Sequence, residues 1–501
     1  MNVNEALSSL REEDNKILRL GHIISVLGWD QDTVMPPSAS TERGEQFALL
    51  SSLIHEAATS RKMEDIISSL DGSELDGADK ALYRYWKKEV TNQKKLPVKL
   101  VEDMAIAHNE AHSAWIEART RNSWKIFEPA LERVVDLTKE QASRLGDGKD
   151  LYDTLLDLYE EGMSQEIIDP VFDDLKDTIH SLMDELQGVE VDDSFLYEKY
   201  DQESLHSFCM DLIDRMGFDH NRGVVGITEH PYTTALGVDD HRISTRYTDD
   251  GLFDPIGSIV HETGHVLYEM SATMNPEIRG TNLAQGVSMG VHESQSRFWE
   301  NIMGRSRAFW TYQYPNLQRA LPHLQDVSLD SFLRAINKSQ PSAIRVNADE
   351  LTYNLHIMLR YQIEKMLFSG EINVSDIPSV WNELSSSLIR YEVKNDLEGA
   401  LQDVHWSQGS IGYFPTYSLG NIYSASFYNK MCLDLGGKET VDQYLSSGDY
   451  SRITAWQCEN IWNKGMLLPP GELVESVTGT KVDASAFKEY LVTKFSDLYL
   501  R

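Results

Sequence analysis

The chain has 501 residues, of which 41% are hydrophobic and 25% are charged, as in ordinary globular proteins. Its 79 acidic and 46 basic residues give a formal net charge of −33, which argues against nucleic acid or an anionic membrane as a partner, because both require a basic surface. The three cysteines lack the spacing of a disulfide framework or a thiolate zinc site. With no apolar leader and no apolar run of about 18 residues, we predict a cytoplasmic protein.

Helical periodicity dominates the predicted elements. Apolar residues recur at spacings of three and four in residues 41–60 and again in residues 348–368. Residues 230–251 differ, because β-branched residues alternate there between glycines, and this pattern predicts a hairpin or short edge strands. The breaks are short, and we find neither a linker nor a repeat of fixed period. We therefore predict one mainly α domain over residues 1–501, with a small β-sheet just before the next motif.

That motif is His-Glu-x-x-His, in the segment "SIVHETGHVLYEM" at residues 258–270. His261 and His265 are four residues apart, about 6 Å along a helix, so both imidazoles can bind one ion. Glu262 would then lie beside the water that such an ion activates. We predict a helix over residues 255–272 with Asp254 as its cap. The pattern predicts a zinc-type site, and a chance occurrence of the three residues is the alternative.

The third ligand must come from elsewhere in the chain. The extended motif HExxHxxGxxH is excluded, because Tyr268 and Ser271 occupy its last two positions. Glu269 lies about 12 Å along the helix from the first histidine, too far to share its ion. A glutamate from a following helix remains, and "SMGVHESQSRFWENIMG" supplies Glu293. The residues alone leave open an ordinary ion pair between Glu293 and Arg297, one turn on.

Several further motifs occur along essentially the whole chain, and together they are more specific than His-Glu-x-x-His. They read "LGWDQDTVMPP", "HPYTTAL", "DHRISTRY", "HETGH", "GTNLAQGVSMGVHESQSRFWEN", "SAIRVNADELTY", "GALQDVHW" and "GSIGYFPTYSLGN". In these motifs the chain resembles the carboxypeptidase Taq family, bacterial and archaeal metallocarboxypeptidases. Two motifs depart from the family pattern, since its HPF ends here in Tyr232 and its DxRxT ends in Ser244. We expect these changes to affect specificity.

The resemblance implies the following site and activity. His261, His265 and Glu293 would bind one zinc ion per subunit, with cobalt as an alternative, and Glu262 would be the general base. The enzyme would remove C-terminal residues from peptides with broad specificity. The fold would be mostly helical with a deep active-site groove, and the protein a homodimer.

A carboxypeptidase must bind the free carboxylate of its substrate, which a guanidinium does with two parallel hydrogen bonds. Arg345 is the first candidate, because its neighbours in "AIRVNAD" are apolar. Arg242, on the predicted strand, is the second. Each could instead pair with a nearby carboxylate, Arg345 with Asp349 and Arg242 with Asp240.

The reaction also requires donors for the oxyanion that forms at the substrate carbonyl. Tyr413 and Tyr417 of "GYFPTY" are our candidates, with His405 of "QDVHW" behind them. A core aromatic with a satisfied hydroxyl is the alternative for each tyrosine. His230 could donate to the substrate backbone or could only end a turn before Pro231.

Two other functions fit part of the pattern. An oligoendopeptidase would use the same chemistry without reading the substrate's C-terminus. A helical binding protein with a structural zinc ion is the second alternative. Three protein ligands with an open fourth position, together with an intact Glu262, argue against a purely structural site.

Overall fold

Helices make up most of the computed structural model, which describes residues 1–248 and 251–500. Nine α-helices precede the sheet: α1 (Val3–Thr33), α2 (Ser40–Ala58), α3 (Arg61–Ser68), α4 (Gly77–Lys95), α5 (Val98–Arg121), α6 (Trp124–Gly146), α7 (Leu151–Tyr159), α8 (Gln165–Glu185) and α9 (Gln202–Met216). The two helices that carry the metal motifs are α10 (Phe253–Ala272) and α11 (Met289–Arg297). The rest are α12 (Arg307–Ala320), α13 (Leu329–Ile336), α14 (Tyr353–Ser369), α15 (Ile377–Leu384), α16 (Pro415–Asp434), α17 (Lys438–Ser447), α18 (Ser451–Asn460), α19 (Pro470–Thr478) and α20 (Ser485–Phe495).

A small sheet packs against α10. It consists of β1 (Gly223–Ile227), β2 (Thr233–Gly237) and β3 (Asp240–Thr245) in the order β1-β3-β2. The antiparallel pair β2 and β3 falls within the predicted segment, of which residues 249 and 250 lie outside the described ranges. The predicted mainly α fold with a small sheet next to the His-Glu helix is confirmed.

The parallel strand β1 was not predicted, because its glycines read as a break in the sequence. Tertiary contacts explain both glycines. A Cβ at Gly223 would lie 2.5 Å from side-chain atoms of Phe218 and Met270, and one at Gly226 would lie 2.6 Å from the Trp29 ring. Close packing by neighbours, rather than a turn, therefore accounts for glycine in this strand.

The hydrophobic core of the described residues has two parts. The larger one spans α5 to α20 and the sheet, whereas the smaller one joins α1 to α4 with the loop between α10 and α11. Buried Asp14 of α1 fastens this smaller part. Its carboxylate accepts hydrogen bonds from Trp86 Nε1 at 2.8 Å and from the side-chain amide of Asn282 at 2.7 Å. The N-terminal helices are thereby anchored to the loop that leads into α11.

The start of α10 differs slightly from the prediction. The helix begins at Phe253, and its N-cap is Leu252, which makes no side-chain capping bond. Asp254 lies inside the first turn, where a carboxylate interacts favourably with the helix dipole. Burial of Leu252 and Phe253 in the core explains the earlier start.

Within the described ranges, we find no helix with both the length and the apolar character that spanning a membrane requires.

Candidate metal centre

Two glycines allow three helices to meet at the centre. A Cβ at Gly264 of α10 would lie 2.5 Å from the backbone oxygen of Gln295 on α11. A Cβ at Gly420 of α16 would lie 2.6 Å from Cγ of Glu293. Any side chain at either position would push α11 away from its neighbours. Glycine at both positions therefore keeps Glu293 close to the histidines of α10.

His261, His265 and Glu293 converge as the resemblance implied. Oε2 of Glu293 lies 3.6 Å from Nε2 of His261 and 3.3 Å from Nε2 of His265. One ligand atom from each of the three lies within 4.8 Å of the others, and all three residues are partly or fully buried. Two imidazole nitrogens and one carboxylate oxygen form a donor set that suits a divalent ion of the zinc type. The three residues therefore fit the metal that a metallopeptidase requires.

The two carboxylate oxygens of Glu293 face the two sets of partners considered in the sequence analysis. Its Oε1 accepts a hydrogen bond from Nε of Arg297 at 2.6 Å, while Oε2 faces the two histidines. Burial raises the pKa of Glu293, but Arg297 and the histidines outweigh this effect and hold that pKa well below its usual value. The ion pair with Arg297 thus keeps this buried carboxylate ionised, as a metal ligand must be.

Glu300 also belongs to the candidate centre, although the sequence analysis did not select it. It lies in a π-helical turn, Phe298–Met303, that continues α11. Its Oε2 is 2.8 Å from Nδ1 of His261 and accepts a hydrogen bond from Nη1 of Arg297 at 3.1 Å. A carboxylate on the second nitrogen of a metal-binding histidine orients its ring. The helical spacing of residues 293, 297 and 300 was a signal that these side chains share one face.

Glu262 lies between α10 and the sheet. Its Oε2 accepts a hydrogen bond from the hydroxyl of Thr233, on β2, at 2.6 Å. Burial raises the pKa of Glu262, and nearby His261 and the bond from Thr233 oppose the rise. A buried carboxylate with a raised pKa holds a proton more readily than an exposed one does.

A cavity of about 840 Å³ adjoins this centre. Thr233 and Thr234 of the edge strand β2 line one wall, and His292 of α11 lies beside them. The opposite wall belongs to α1, including His22, and to the loop before α11. The cavity therefore lies between the two parts of the core.

Arg345 belongs to a second buried cluster. Its Nε and Nη2 donate to Oδ1 of Asp403 at 3.0 and 2.8 Å, and its Nη1 donates to the Tyr353 hydroxyl at 3.1 Å. Asp349, the partner considered in the sequence analysis, instead accepts hydrogen bonds from Ser339 and Thr352, both at 2.7 Å. The partner of Arg345 is therefore distant in sequence.

Asp403 binds a second guanidinium as well. Nε of Arg360 donates to its Oδ2 at 2.6 Å, and the Arg360 side chain is fully buried. Two arginines therefore share one carboxylate. Burial lowers the pKa of nearby His405 to about 4, which keeps that ring neutral at physiological pH. The cluster of Arg345, Arg360 and Asp403 carries one surplus positive charge, which suits an anionic group.

Tyr353, also missed in the sequence, connects the two clusters. The guanidinium of Arg297 lies 4.8 Å from the centre of its ring, and its hydroxyl binds Arg345. The Tyr417 ring lies under Arg345 at 5.2 Å, and Tyr413 packs against Tyr417 at 5.2 Å. These contacts bring Arg345, Tyr413 and Tyr417 together, and His405 joins them by stacking on Tyr413 at 5.5 Å. We call these four residues the Arg345 wall.

Arg242 and His230 lie apart from this wall. Arg242 donates to both carboxylate oxygens of Asp240, at 2.6 and 3.0 Å, and its guanidinium lies 5.9 Å from the Trp29 ring of α1. The alternative partner considered for Arg242 is therefore the observed one. His230 is exposed in the connection between β1 and β2, where its carbonyl accepts a bond from Thr228 at 2.8 Å.

A buried carboxylate holds the backbone segment that carries His405 and Tyr413. Glu364 of α14 accepts hydrogen bonds from the Tyr152 hydroxyl at 2.7 Å, from Trp406 Nε1 at 2.7 Å and from the amide of Gly412 at 2.9 Å. Trp406 and Gly412 lie at the two ends of the segment that connects His405 to Tyr413. Burial raises the pKa of Glu364 to about 7, against the lowering effect of these bonds. The position of the wall thus depends on a group that titrates near neutral pH.

Glu364→Gln is expected to flatten the pH dependence of stability. The pKa of Glu364 in the folded protein, about 7, lies above the ordinary value of 4.5. Its contribution to the free energy of unfolding is therefore fully present below about pH 4.5 and is lost as the pH rises through about 7. The loss amounts to about 3 kcal/mol at most. Melting curves of both proteins between pH 5 and 8 measure it, with exposed Glu383→Gln as the control. Parallel pH profiles for wild type and Glu364→Gln would contradict this account.

The fold and the site together define a helical metallopeptidase. The family model described as carboxypeptidase Taq (M32) metallopeptidase matches residues 9–495. Thermostable carboxypeptidase 1 of Thermus thermophilus is 37% identical over 514 residues, covering 100% of both chains, and carboxypeptidase 1 of Bacillus subtilis is 36% identical over 490 residues, covering 97% of both. The crystal structure of an M32 carboxypeptidase from Deinococcus radiodurans R1 superposes with a TM-score of 0.95 at 33% identity, covering 99% of this chain and 100% of that one. The chain therefore belongs to the carboxypeptidase Taq (M32) family of metallocarboxypeptidases.

Proposed function

We propose that this protein is a zinc-dependent carboxypeptidase that removes C-terminal residues from peptides with broad specificity. The observation that carries the proposal is the placement of Tyr353 between the three-ligand site and a buried surplus of positive charge. A peptide that spans both clusters would have its last amide bond near the ligands and its carboxylate near Arg345. This arrangement favours an exopeptidase over an oligoendopeptidase.

His261, His265 and Glu293 are proposed to hold the ion. Two nitrogens and one oxygen favour zinc, and cobalt suits the same set. When bound there, the ion supplies positive charge for the substrate carbonyl and lowers the pKa of the attacking water. The surroundings also argue against a purely structural zinc ion, because buried Glu262 lies next to the ligands and a cavity lined by Thr233 and His292 adjoins the centre.

Glu262 is proposed to act as the general base. Its raised pKa makes its carboxylate a better acceptor for the proton of the attacking water. The hydroxyl of Thr233 holds one carboxylate oxygen at 2.6 Å and so fixes the orientation of the group. The same carboxyl group then gives its proton to the leaving amine.

The wall around Arg345 is proposed to bind the C-terminal residue of the substrate, which is released on hydrolysis. Arg345 binds the carboxylate, which every peptide shares, and this explains broad specificity. Burial raises the pKa values of Tyr413 and Tyr417, so both hydroxyls keep their protons and can donate to the oxyanion. The rest of the peptide is proposed to lie in the cavity along β2, an edge strand, which is where an extended chain can add to a sheet.

The homodimer, the cytoplasmic location and the single catalytic domain stay predictions. Light scattering of the purified protein measures its mass in solution and thereby tests the homodimer. Mass spectrometry of a peptide ladder tests the exopeptidase activity, because stepwise loss from the C-terminus distinguishes it from internal cleavage.

Removal of the metal is expected to abolish peptide hydrolysis, and added Zn²⁺ or Co²⁺ is expected to restore it. Glu293→Gln should lower the bound metal from about one ion per chain to nearly none, since a neutral amide is a poor ligand. Metal analysis after dialysis measures this loss. The exposed Glu277→Gln variant is the control and should keep its ion. An unchanged metal content in Glu293→Gln would show that Glu293 is not a ligand and only forms an ion pair with Arg297.

A further inference from the structure

The two histidines of the centre are held in different ways. Nδ1 of His261 pairs with Glu300 at 2.8 Å. Nδ1 of His265 is buried and has no hydrogen-bond partner among the described residues. Metal-binding histidines usually donate their second nitrogen to a fixed partner, which sets the direction of the ring. Another contact must therefore orient His265.

His292 of α11 supplies that contact. Its ring stacks on the ring of His265, with centroids 4.4 Å apart and planes 24° from parallel. Tyr268 of α10 also stacks on the His292 ring, with ring centroids 5.8 Å apart. A Cβ at Gly286 would come within 2.3 Å of Cδ2 of His292, so the loop before α11 closes tightly on the ring edge. The imidazole of His292 is thus confined between two helices and this loop.

Glu269 restricts the remaining rotation of the His292 ring. Its Oε1 lies 2.8 Å from Nε2 of His292. His265 and Glu269 are one helical turn apart on α10, so both face α11 from the same side. His292 reaches between them, with its ring on His265 and its nitrogen on Glu269. This explains why a glutamate too far from His261 to bind the ion is nevertheless partly buried beside the centre.

We propose that His292 is a positioning residue that aims Nε2 of His265 at the metal by ring stacking, with Glu269 as the anchor of His292. This inference rests on the proposed function, because it assumes that His265 binds the ion. His292 directly precedes Glu293 in the chain, so the same short segment of α11 supplies one ligand and orients another. The side chain acts as a packed ring, and its charge plays no part in the proposal.

Three variants separate the ring from its anchor. His292→Ala removes both, His292→Phe keeps a flat ring without the hydrogen bond, and Glu269→Ala keeps the ring but releases it. The dissociation constants of Zn²⁺ and Co²⁺ are measured by chelator competition, and the visible spectrum of the cobalt protein reports the geometry of the site. Melting curves of the metal-free proteins record any structural loss separately. His356→Ala, which removes a buried histidine of α14, is the control.

We expect His292→Ala to weaken metal binding by about 10- to 100-fold and to change the cobalt spectrum. His292→Phe should recover most of the affinity, and Glu269→Ala should fall between the two. His356→Ala should lower the melting temperature without changing either metal readout. Equal losses in His292→Ala and His292→Phe would overturn the stacking role, as would wild-type affinity and spectrum in both. A wild-type protein that binds neither metal would instead overturn the proposed function itself.

Discussion

Glu262→Gln is expected to lower kcat by about 10²- to 10⁴-fold while the protein keeps its metal. Glutamine has nearly the same size and still accepts the hydrogen bond from Thr233, which lies 2.6 Å from the carboxylate. It cannot take a proton from the attacking water, because an amide is not a base at neutral pH. Steady-state kinetics on one peptide, together with metal analysis of the same preparation, measure the two quantities.

Two further variants show whether the loss belongs to the base. Glu293→Gln should show the opposite pattern, in which the metal is lost and activity falls with it. Thr233→Val leaves the carboxylate in place but removes the hydroxyl that orients it, so we expect a much smaller decrease in kcat. If Glu262→Gln turned over peptides at nearly the wild-type rate with its metal bound, another group would have to accept the proton.

Local patterns in the sequence were sufficient to predict the fold class and the two histidines of the candidate metal centre. The spacing of His261 and His265 is a property of a single helix, and the apolar periodicity that surrounds it predicts that helix without any knowledge of its neighbours. Strand β1 was missed for the opposite reason. Its glycines are required by Trp29, Phe218 and Met270, which the fold brings close.

The partners of the site residues were less predictable because they are distant in sequence. Arg345 and Asp403 are 58 positions apart, so the choice of Asp349 as an alternative partner followed the helical spacing and was wrong. Tyr353 connects Arg345 to Arg297 through one hydroxyl and one ring face. Apolar periodicity alone does not distinguish it from a core tyrosine.

Arg345 and Arg360 share the carboxylate of Asp403, so the three residues contribute unequally to the stability of the fold. Removing Asp403 would leave two buried guanidiniums unpaired, which costs several kcal/mol. Removing Arg345 leaves Asp403 bound to Arg360 at 2.6 Å, so the remaining pair is still neutralised. The fold should therefore tolerate the loss of Arg345 much better than the loss of Asp403, and variants of Arg345 can report on substrate binding.

Arg345→Ala is expected to lower kcat/KM for peptides with a free C-terminus by about 30-fold or more, which corresponds to about 2 kcal/mol for a lost charge-assisted contact. Peptides with an amidated C-terminus never make that contact, so their slower hydrolysis should hardly change. Arg345→Lys should recover little, because an ammonium group does not reproduce the planar pair of donors that a carboxylate accepts.

The same pair of substrates distinguishes Arg345 from the alternative cation. Arg242 is held by both oxygens of Asp240 on the sheet, so Arg242→Ala should affect the free-acid and amidated peptides equally. Equal losses on both substrates in Arg345→Ala, with a lower melting temperature, would make Arg345 a structural residue. A selective loss for the free acid in Arg242→Ala would transfer carboxylate recognition to the sheet. Because the two arginines lie in different parts of the fold, either result also fixes the direction in which the peptide runs from the metal ligands.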